Sequence, residues 1–308
     1  MESEIELSIV ATIYNDAETI AVLVSEFNKH LHSLKINSEI ILVNDCSMDS
    51  SEEKIIGICR ESNTVKGISL ARNYGQQIAV SAGIKYAKGK YILVIDGDLE
   101  NPISSIPELY NKIKEGYDIV YTAAKKRQSF LKRITSELFW FVICKLLGVK
   151  IVKNQLLLRI MSRRLVDNYN SYNEISRSVA GITHDIGLKA AQIEVAPNKR
   201  ISGKSNYSFT KRLNVFIDVV LNLSLKPLDF VMFLGFFAFI FSIFISMYYL
   251  YIYLTVGTIP GYTSTILSIF FFGSTIVFTL GIMARYLSLI YLEVRNRPLF
   301  IVKEKYNL

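Results

Sequence analysis

Two kinds of hydrophobic pattern alternate through the first 125 residues. Residues 7–14 (LSIVATIY) form a nearly continuous β-branched and apolar run, which predicts a strand. Asn15-Asp16 then marks a turn and a helix start. Ile20, Leu23, Val24, Phe27 and Leu31 recur at helical spacing and predict a helix over 18–33. The same reading gives strands at 39–44, 65–70, 91–95 and 118–123, and helices at 76–87 and 104–114. Asp45-Cys46-Ser47 is a polar turn able to cap a helix. Strands that alternate with helices predict an α/β fold with a mainly parallel sheet. Ligands of such sheets bind beyond the carboxyl ends of the strands. Asp16, Asp45, Asp96 and Asp98 all fall at or just past those ends, so four carboxylates are expected on one rim.

The pattern changes after residue 229. From Phe230 to Ala284, 55 consecutive residues include no Lys, Arg, Asp, Glu or His. About 20 apolar residues cross a bilayer, so this block suits two passes, 230–254 and 265–290. Gly257-Thr258-Ile259-Pro260-Gly261 supplies the turn between them, and Tyr248, Tyr249, Tyr251 and Tyr253 crowd the end of the first pass. A buried hairpin in a soluble core would not need so long an uncharged run.

Charge orients this hairpin. The chain carries a formal +8, with +5 at 199–226, +3 at 285–308 and only +1 over 1–198, which Asp229 cancels. The positive-inside rule then places both termini and the α/β region in the cytoplasm, in a multi-pass protein of the cytoplasmic membrane. A nucleic-acid binder would carry its positive charge on the folded domain, so nucleic acid is not an expected partner. Glu2, Glu4 and Glu6 stand where the positive region of a signal peptide would lie, so none is expected. The three cysteines, Cys46, Cys59 and Cys144, match no zinc or redox spacing. The expected organisation is an α/β domain over 1–200, a juxtamembrane region over 201–228, a membrane hairpin over 229–292 and a cytoplasmic tail over 293–308.

Candidate chemistry centres on Asp96-Gly97-Asp98, after the most hydrophobic strand. Two carboxylates two positions apart suit Mg²⁺ or Mn²⁺, ions that share their coordination with substrate phosphates. Such an ion could neutralise a diphosphate leaving group. The plainer reading is a polar turn after a strand, and Asp-X-Asp alone does not separate the two.

The wider motif set does. Tyr14-Asn15-Asp16, Asn44-Asp45-Cys46-Ser47, Arg72-Asn73-Tyr74-Gly75, Asp96-Gly97-Asp98-Leu99-Glu100-Asn101-Pro102, Gly203-Lys204-Ser205-Asn206-Tyr207 and the closing stretch from Tyr291 through Arg297-Pro298-Leu299 occur in order. The chain resembles a family 2 glycosyltransferase of GT-A fold, in the polyprenyl-phosphate branch that includes dolichol-phosphate mannose synthase and bacterial undecaprenyl-phosphate enzymes. The resemblance implies a nucleotide-sugar donor, UDP-linked, and a polyprenyl phosphate acceptor. It implies that Tyr14, Asn15, Asp16, Asp45, Arg72 and Asp96 bind the nucleotide. It assigns Asp96 and Asp98 to the metal, with Asp98 and Arg159 in the catalytic set. Arg200 and Lys204 would meet phosphates of the donor or of the lipid, or simply face the membrane surface. The resemblance also suggests a homo-oligomer, such as a tetramer.

One departure bears on activity. The branch carries an acid just before its F-R-L motif, and here that stretch is Gln155-Leu156-Leu157-Leu158-Arg159, with Leu157 at the acid's place. Either the chain is inactive, or no base is needed because a polyprenyl phosphate is already ionised at pH 7; a change in which sugar fits is a further alternative. The second reading is favoured, because the nucleotide and metal motifs persist. Two amphipathic stretches, 129–147 with the only Trp, Trp140, and 209–225, are candidates for the membrane interface; the first equally suits an ordinary surface helix. His184, alone in an apolar helical stretch, is expected to be structural. The expected activity is inverting transfer of a hexosyl or N-acetylhexosaminyl group to polyprenyl phosphate for cell-envelope glycans. The alternatives are a non-catalytic membrane partner with this fold and a processive polysaccharide synthase, although the synthase's Q-x-x-R-W motif is missing.

Overall fold

A computed structural model describes residues 4–124, 155–175, 177–196 and 261–308, together with isolated positions between 233 and 255. The chain divides into two compact units: Met1–Ile134 with Lys150–Asn206 and Pro298–Leu308, and Thr135–Val149 with Tyr207–Arg297.

Among the described residues, the first unit is an eight-stranded sheet with helices on both faces. In chain order its elements are β1 (Leu7–Ile13), α1 (Ile20–Leu34), β2 (Ser38–Asn44), α2 (Ser51–Glu61), β3 (Val65–Leu70), α3 (Gln76–Tyr86), β4 (Tyr91–Asp96), a 3₁₀ turn (Ile103–Ser105), α4 (Ile106–Ile113), β5 (Ile119–Ala124), β6 (Gln155–Ser162), α5 (Arg163–Ser171), α6 (Val179–Asp185), β7 (Ala190–Val195) and β8 (Val302–Tyr306). The sheet order is β7-β5-β6-β4-β1-β2-β3-β8. β1 pairs in parallel with β2 and β4, as do β2 with β3 and β5 with β7. β6 runs antiparallel to β4 and β5, and β8 antiparallel to β3.

All seven residues of β1 are buried, which explains its nearly continuous apolar run: helices cover both of its faces. Leu7, Ile9, Ala11 and Ile13 pack with Ile20, Leu23 and Phe27 of α1 and Ile106 and Leu109 of α4. Val10, with Ile41, Val43 and Val94, packs on the opposite face against Ala79 and Val80 of α3 and Leu165, Val166 and Tyr169 of α5.

Two differences from the sequence reading have physical causes. The helix expected over 104–114 opens as a 3₁₀ turn and becomes α-helical at Ile106, where Pro107 fits a first turn that needs no donor from it. Residues within 293–308, read as a tail, supply β8. Phe300 and Val302 pack on one core face and Tyr306 on the other, while Lys303, Glu304 and Lys305 stay exposed. A charged outer strand of this kind discourages pairing with another chain.

The second unit contains α7 (Tyr262–Val294), 33 residues long. Its stretch Phe271–Val294 is long and apolar enough to cross a membrane, with a mean hydropathy of 1.6. Ile269, Phe271, Ile276, Phe278, Leu280, Met283 and Leu287 are all exposed. The described positions between 233 and 255 are helical as well. Arg200, Lys204, Cys144 and the stretches 129–147 and 209–225 lie outside the described residues.

Candidate active site

The strand order β3-β2-β1-β4 reverses direction between β1 and β4. The loops leaving these two strands therefore diverge, and an open α/β sheet has its binding crevice at that point. Asp16 lies in the loop after β1, while Asp96 ends β4 and Asp98 follows it. All three are half-buried. Burial, then the neighbouring charge of Asp98, pushes the Asp96 carboxyl up to about 6, against hydrogen bonds from Gln76, Asn101 and Thr12. Asp16 is also raised, first by burial, with Asp98 and Asp49 adding to it and the Tyr14 amide opposing. The crevice thus holds mutually repelling carboxylates in partly dry surroundings, which favours any cation that arrives there.

Backbone geometry holds these carboxylates in place. Gly97 donates its amide to the Thr12 carbonyl at 3.0 Å. A Cβ at Gly97 would stand 2.5 Å from Ile13 Cδ1 and 2.8 Å from the Thr12 oxygen, so the motif's central residue must be glycine. Thr19 Oγ1 lies 2.9 Å from the carbonyls of both Asp16 and Gly97, tying the loops after β1 and β4 together. Asp98 Oδ1 accepts the Glu100 amide at 3.0 Å, and Leu99 between them is left-handed, with φ 59°.

The loop after β1 is also laced to the loop after β2. Asn15 donates its amide to Ser47 Oγ at 3.0 Å and accepts the Met48 amide on Oδ1 at 2.8 Å. Asp49 accepts the Ala17 amide on one oxygen and the Ser51 amide on the other, bridging the approaches to α1 and α2. Thr19 and Asp49 escaped the sequence reading. Each stands just before a helix, and that local capping signal carries no trace of the partner loop.

The remaining expected residues divide by exposure. Tyr14, Asn15 and Arg72 are exposed at the rim. Asp45 is only 3 % exposed, and its two oxygens accept the amides of Tyr74 and Gly75, each at 2.8 Å. It shapes the Arg72–Gly75 turn from inside, where Gly75 takes φ 89°. Gln76, next in the chain, donates to Asp96 Oδ1. Arg159 is buried in β6 at 4 % exposure. It stacks over the Tyr121 ring and donates to the carbonyls of Leu157 and Leu156, while its Nη1 is a buried donor with no partner among the described residues. Burial lowers its proton affinity, opposed by Tyr121, Asp96 and Tyr169. Arg159 therefore lies in β6 within reach of the Asp96 charge, which favours its protonated form. Leu157 is half-buried and packs against the α3-side core. His184 is exposed on α6, away from any core role.

The sequence profile of the glycosyl transferase family 2 matches residues 8–179, more than half of the chain and most of the sheet. The chain belongs to that family. Along its whole length it is 34% identical to an uncharacterized glycosyltransferase of Synechocystis, over 99% of this chain and 96% of that one. It is 30% identical to a prophage-derived bactoprenol glucosyl transferase of Shigella flexneri, over 98% of both chains. Among solved structures, mannosyl-3-phosphoglycerate synthase from Rubrobacter xylanophilus matches with a TM-score of 0.50 at 14% identity, over 71% of this chain and 74% of that one. That likeness concerns the fold alone. The α/β unit is thus a GT-A fold, and the protein is a glycosyltransferase.

Proposed function

We propose that this glycosyltransferase moves a sugar from a nucleotide sugar to a polyprenyl phosphate at the cytoplasmic face of a membrane, with inversion at the anomeric carbon. The observation that carries the reading is the convergence of Asp16, Asp96 and Asp98 at the switch point of the sheet, with the Asp96 carboxyl pushed up to about 6. The full-length likeness to a bactoprenol glucosyl transferase supports the choice of acceptor.

In this reading Tyr14, Asn15, Asp16 and Arg72 bind the nucleotide at the rim, and Asp45 supports them from within. Among the described residues no group of three His, Cys, Asp or Glu side chains could hold an ion. A pair of carboxylates is nonetheless what Mg²⁺ or Mn²⁺ takes when substrate phosphates supply further ligands, so Asp96 and Asp98 fit such an ion. When bound, the ion neutralises charge on the departing diphosphate. Thr19, Gly97 and Gln76 hold the two carboxylates in register. The acceptor's phosphate oxygen attacks the anomeric carbon as its bond to the diphosphate breaks. That oxygen is already ionised, so no base is needed at the position that the half-buried Leu157 occupies. Arg200 and Lys204 meet the acceptor phosphate. α7 and the helical stretch within 233–255 form two membrane spans, with both basic flanks in the cytoplasm.

Membranes containing the protein, incubated with labelled nucleotide sugars and undecaprenyl phosphate, should yield a labelled monoglycosyl lipid. A polymer, or no product with any donor, would overturn this reading.

A further inference from the structure

We infer that the C-terminal segment 300–306 is part of the donor site, and that Tyr74 is the positioning residue through which it holds Arg72. The inference rests on the reading of Arg72 as a nucleotide-binding residue and adds the element that places it.

Three contacts join this segment to the turn after β3. The Ile301 carbonyl accepts the Ala71 amide at 3.0 Å. The Ile301 amide donates to the Tyr74 hydroxyl at 3.2 Å. Phe300 packs on the same core face as Tyr74, and Lys85 of α3 lies 5.6 Å over its ring. The turn 71–75 is thus fastened at its first residue through the backbone and at its fourth through a side chain.

Tyr74 passes this restraint to Arg72, while its backbone is fixed from within. Its ring carries the Arg72 guanidinium, 4.6 Å from the ring centroid. Its amide, with that of Gly75, fills the carboxylate of Asp45. Arg72 is exposed, and no ion pair with an acid fixes it among the described residues. A long exposed cation loses rotamer entropy when it grips a ligand, and a ring that already holds its guanidinium lowers that cost.

The anchor itself is firm. β8 pairs with β3 from Gly67↔Tyr306 to Leu70↔Val302. Beyond it, Asn307 Nδ2 donates to the carbonyls of Cys59, Ser62 and Val65. A loose tail would have no need of so many bonds.

The test uses the purified full-length chain in detergent with UDP–Mn²⁺ and GDP–Mn²⁺ as probes, read by titration calorimetry. Steady-state kinetics with the matching nucleotide sugar and thermal unfolding run alongside. Tyr74→Phe keeps the ring and removes only the acceptor of the Ile301 amide. It should weaken binding of the preferred nucleotide about three- to tenfold, the worth of one hydrogen bond, and raise KM with kcat nearly unchanged. Arg72→Ala should weaken binding further. The double variant should bind no more weakly than Arg72→Ala alone, because Tyr74 acts through Arg72. Wild-type affinity in Tyr74→Phe, or effects that simply add in the double variant, would overturn the inference and leave the donor site standing. A wild-type chain that binds neither nucleotide would remove the donor-site reading and this inference with it.

Discussion

Thr19 Oγ1 lies 2.9 Å from the carbonyl oxygen of Gly97, a residue 78 positions further along the chain. This contact sets the loop that carries Asp96 and Asp98 against the loop that carries Asp16. Thr19→Val keeps the shape and removes the donor. It should lower kcat/KM about three- to tenfold with little change in Tm, while Thr19→Ser stays close to wild type. Kinetics on the three proteins side by side check this.

Asp98 raises the proton affinity of both Asp16 and Asp96, so it sits where the carboxylates meet. Asp98→Ala should abolish lipid glycosylation in membranes and weaken Mn²⁺ binding, followed by electron paramagnetic resonance in the presence of UDP. Full turnover in that variant would exclude a metal role for Asp98.

Gly97 has no room for a side chain. Gly97→Ala should cost about 1–3 kcal/mol of stability, because the new methyl meets the Thr12 carbonyl and the Ile13 side chain. A lower unfolding midpoint should accompany the loss of activity. That combination distinguishes it from Asp98→Ala, which should leave the midpoint largely intact.

At the opposite, amino-terminal end of the strands, Glu39 is 2 % exposed and pairs with Lys66 at 2.6 Å. Burial alone would raise its carboxyl, but hydrogen bonds from Lys66, Ser8 and the Lys88 amide outweigh it and hold the value below the ordinary 4.5. A carboxyl depressed in the folded state stabilises the protein fully above its unfolded value. That contribution is lost as pH falls from about 4.5 through the folded value. Lys66→Met should cost on the order of 3 kcal/mol near neutral pH and flatten the acid limb of stability. Thermal unfolding across pH 3–7 measures both effects.

The exposed apolar surface of α7 calls for a nonaqueous neighbour. A lysine in place of Phe278, within the apolar stretch, should oppose membrane insertion by about 3 kcal/mol. Fractionation of cells expressing Phe278→Lys should then show less protein in the membrane than wild type.

Much of the framework was legible along the chain. β3 spans Val65–Leu70 as expected; β1, β2 and β4 depart from their expected bounds by one residue at one end, and β5 by one residue at each end. Buried strands and amphipathic helices announce themselves in short windows. β6, β7 and β8 went unread, β6 and β8 for different reasons. β6 has a strand's apolar run, but its place between β4 and β5 depends on pairing with residues far away. β8 (VKEKY) is mostly charged, and only the β3 edge beside it makes it a strand.

The site shows the same division. Asp16, Asp45, Asp96 and Asp98 could be placed at strand ends by counting, because a strand's direction and length fix where its carboxyl end lies. Their separate duties could not. Asp45 turns inward to two backbone amides and Arg159 is buried, whereas Asp98 repels both Asp16 and Asp96 in a common crevice. Local sequence sets the elements, the uncharged block and the acidic strand ends, since each depends on residues a few positions apart. Tertiary structure decides which carboxylate faces solvent, which glycine has no space and which C-terminal segment holds the turn after β3. Those outcomes depend on hydrogen bonds and packing between segments tens to hundreds of residues apart, which no local pattern encodes.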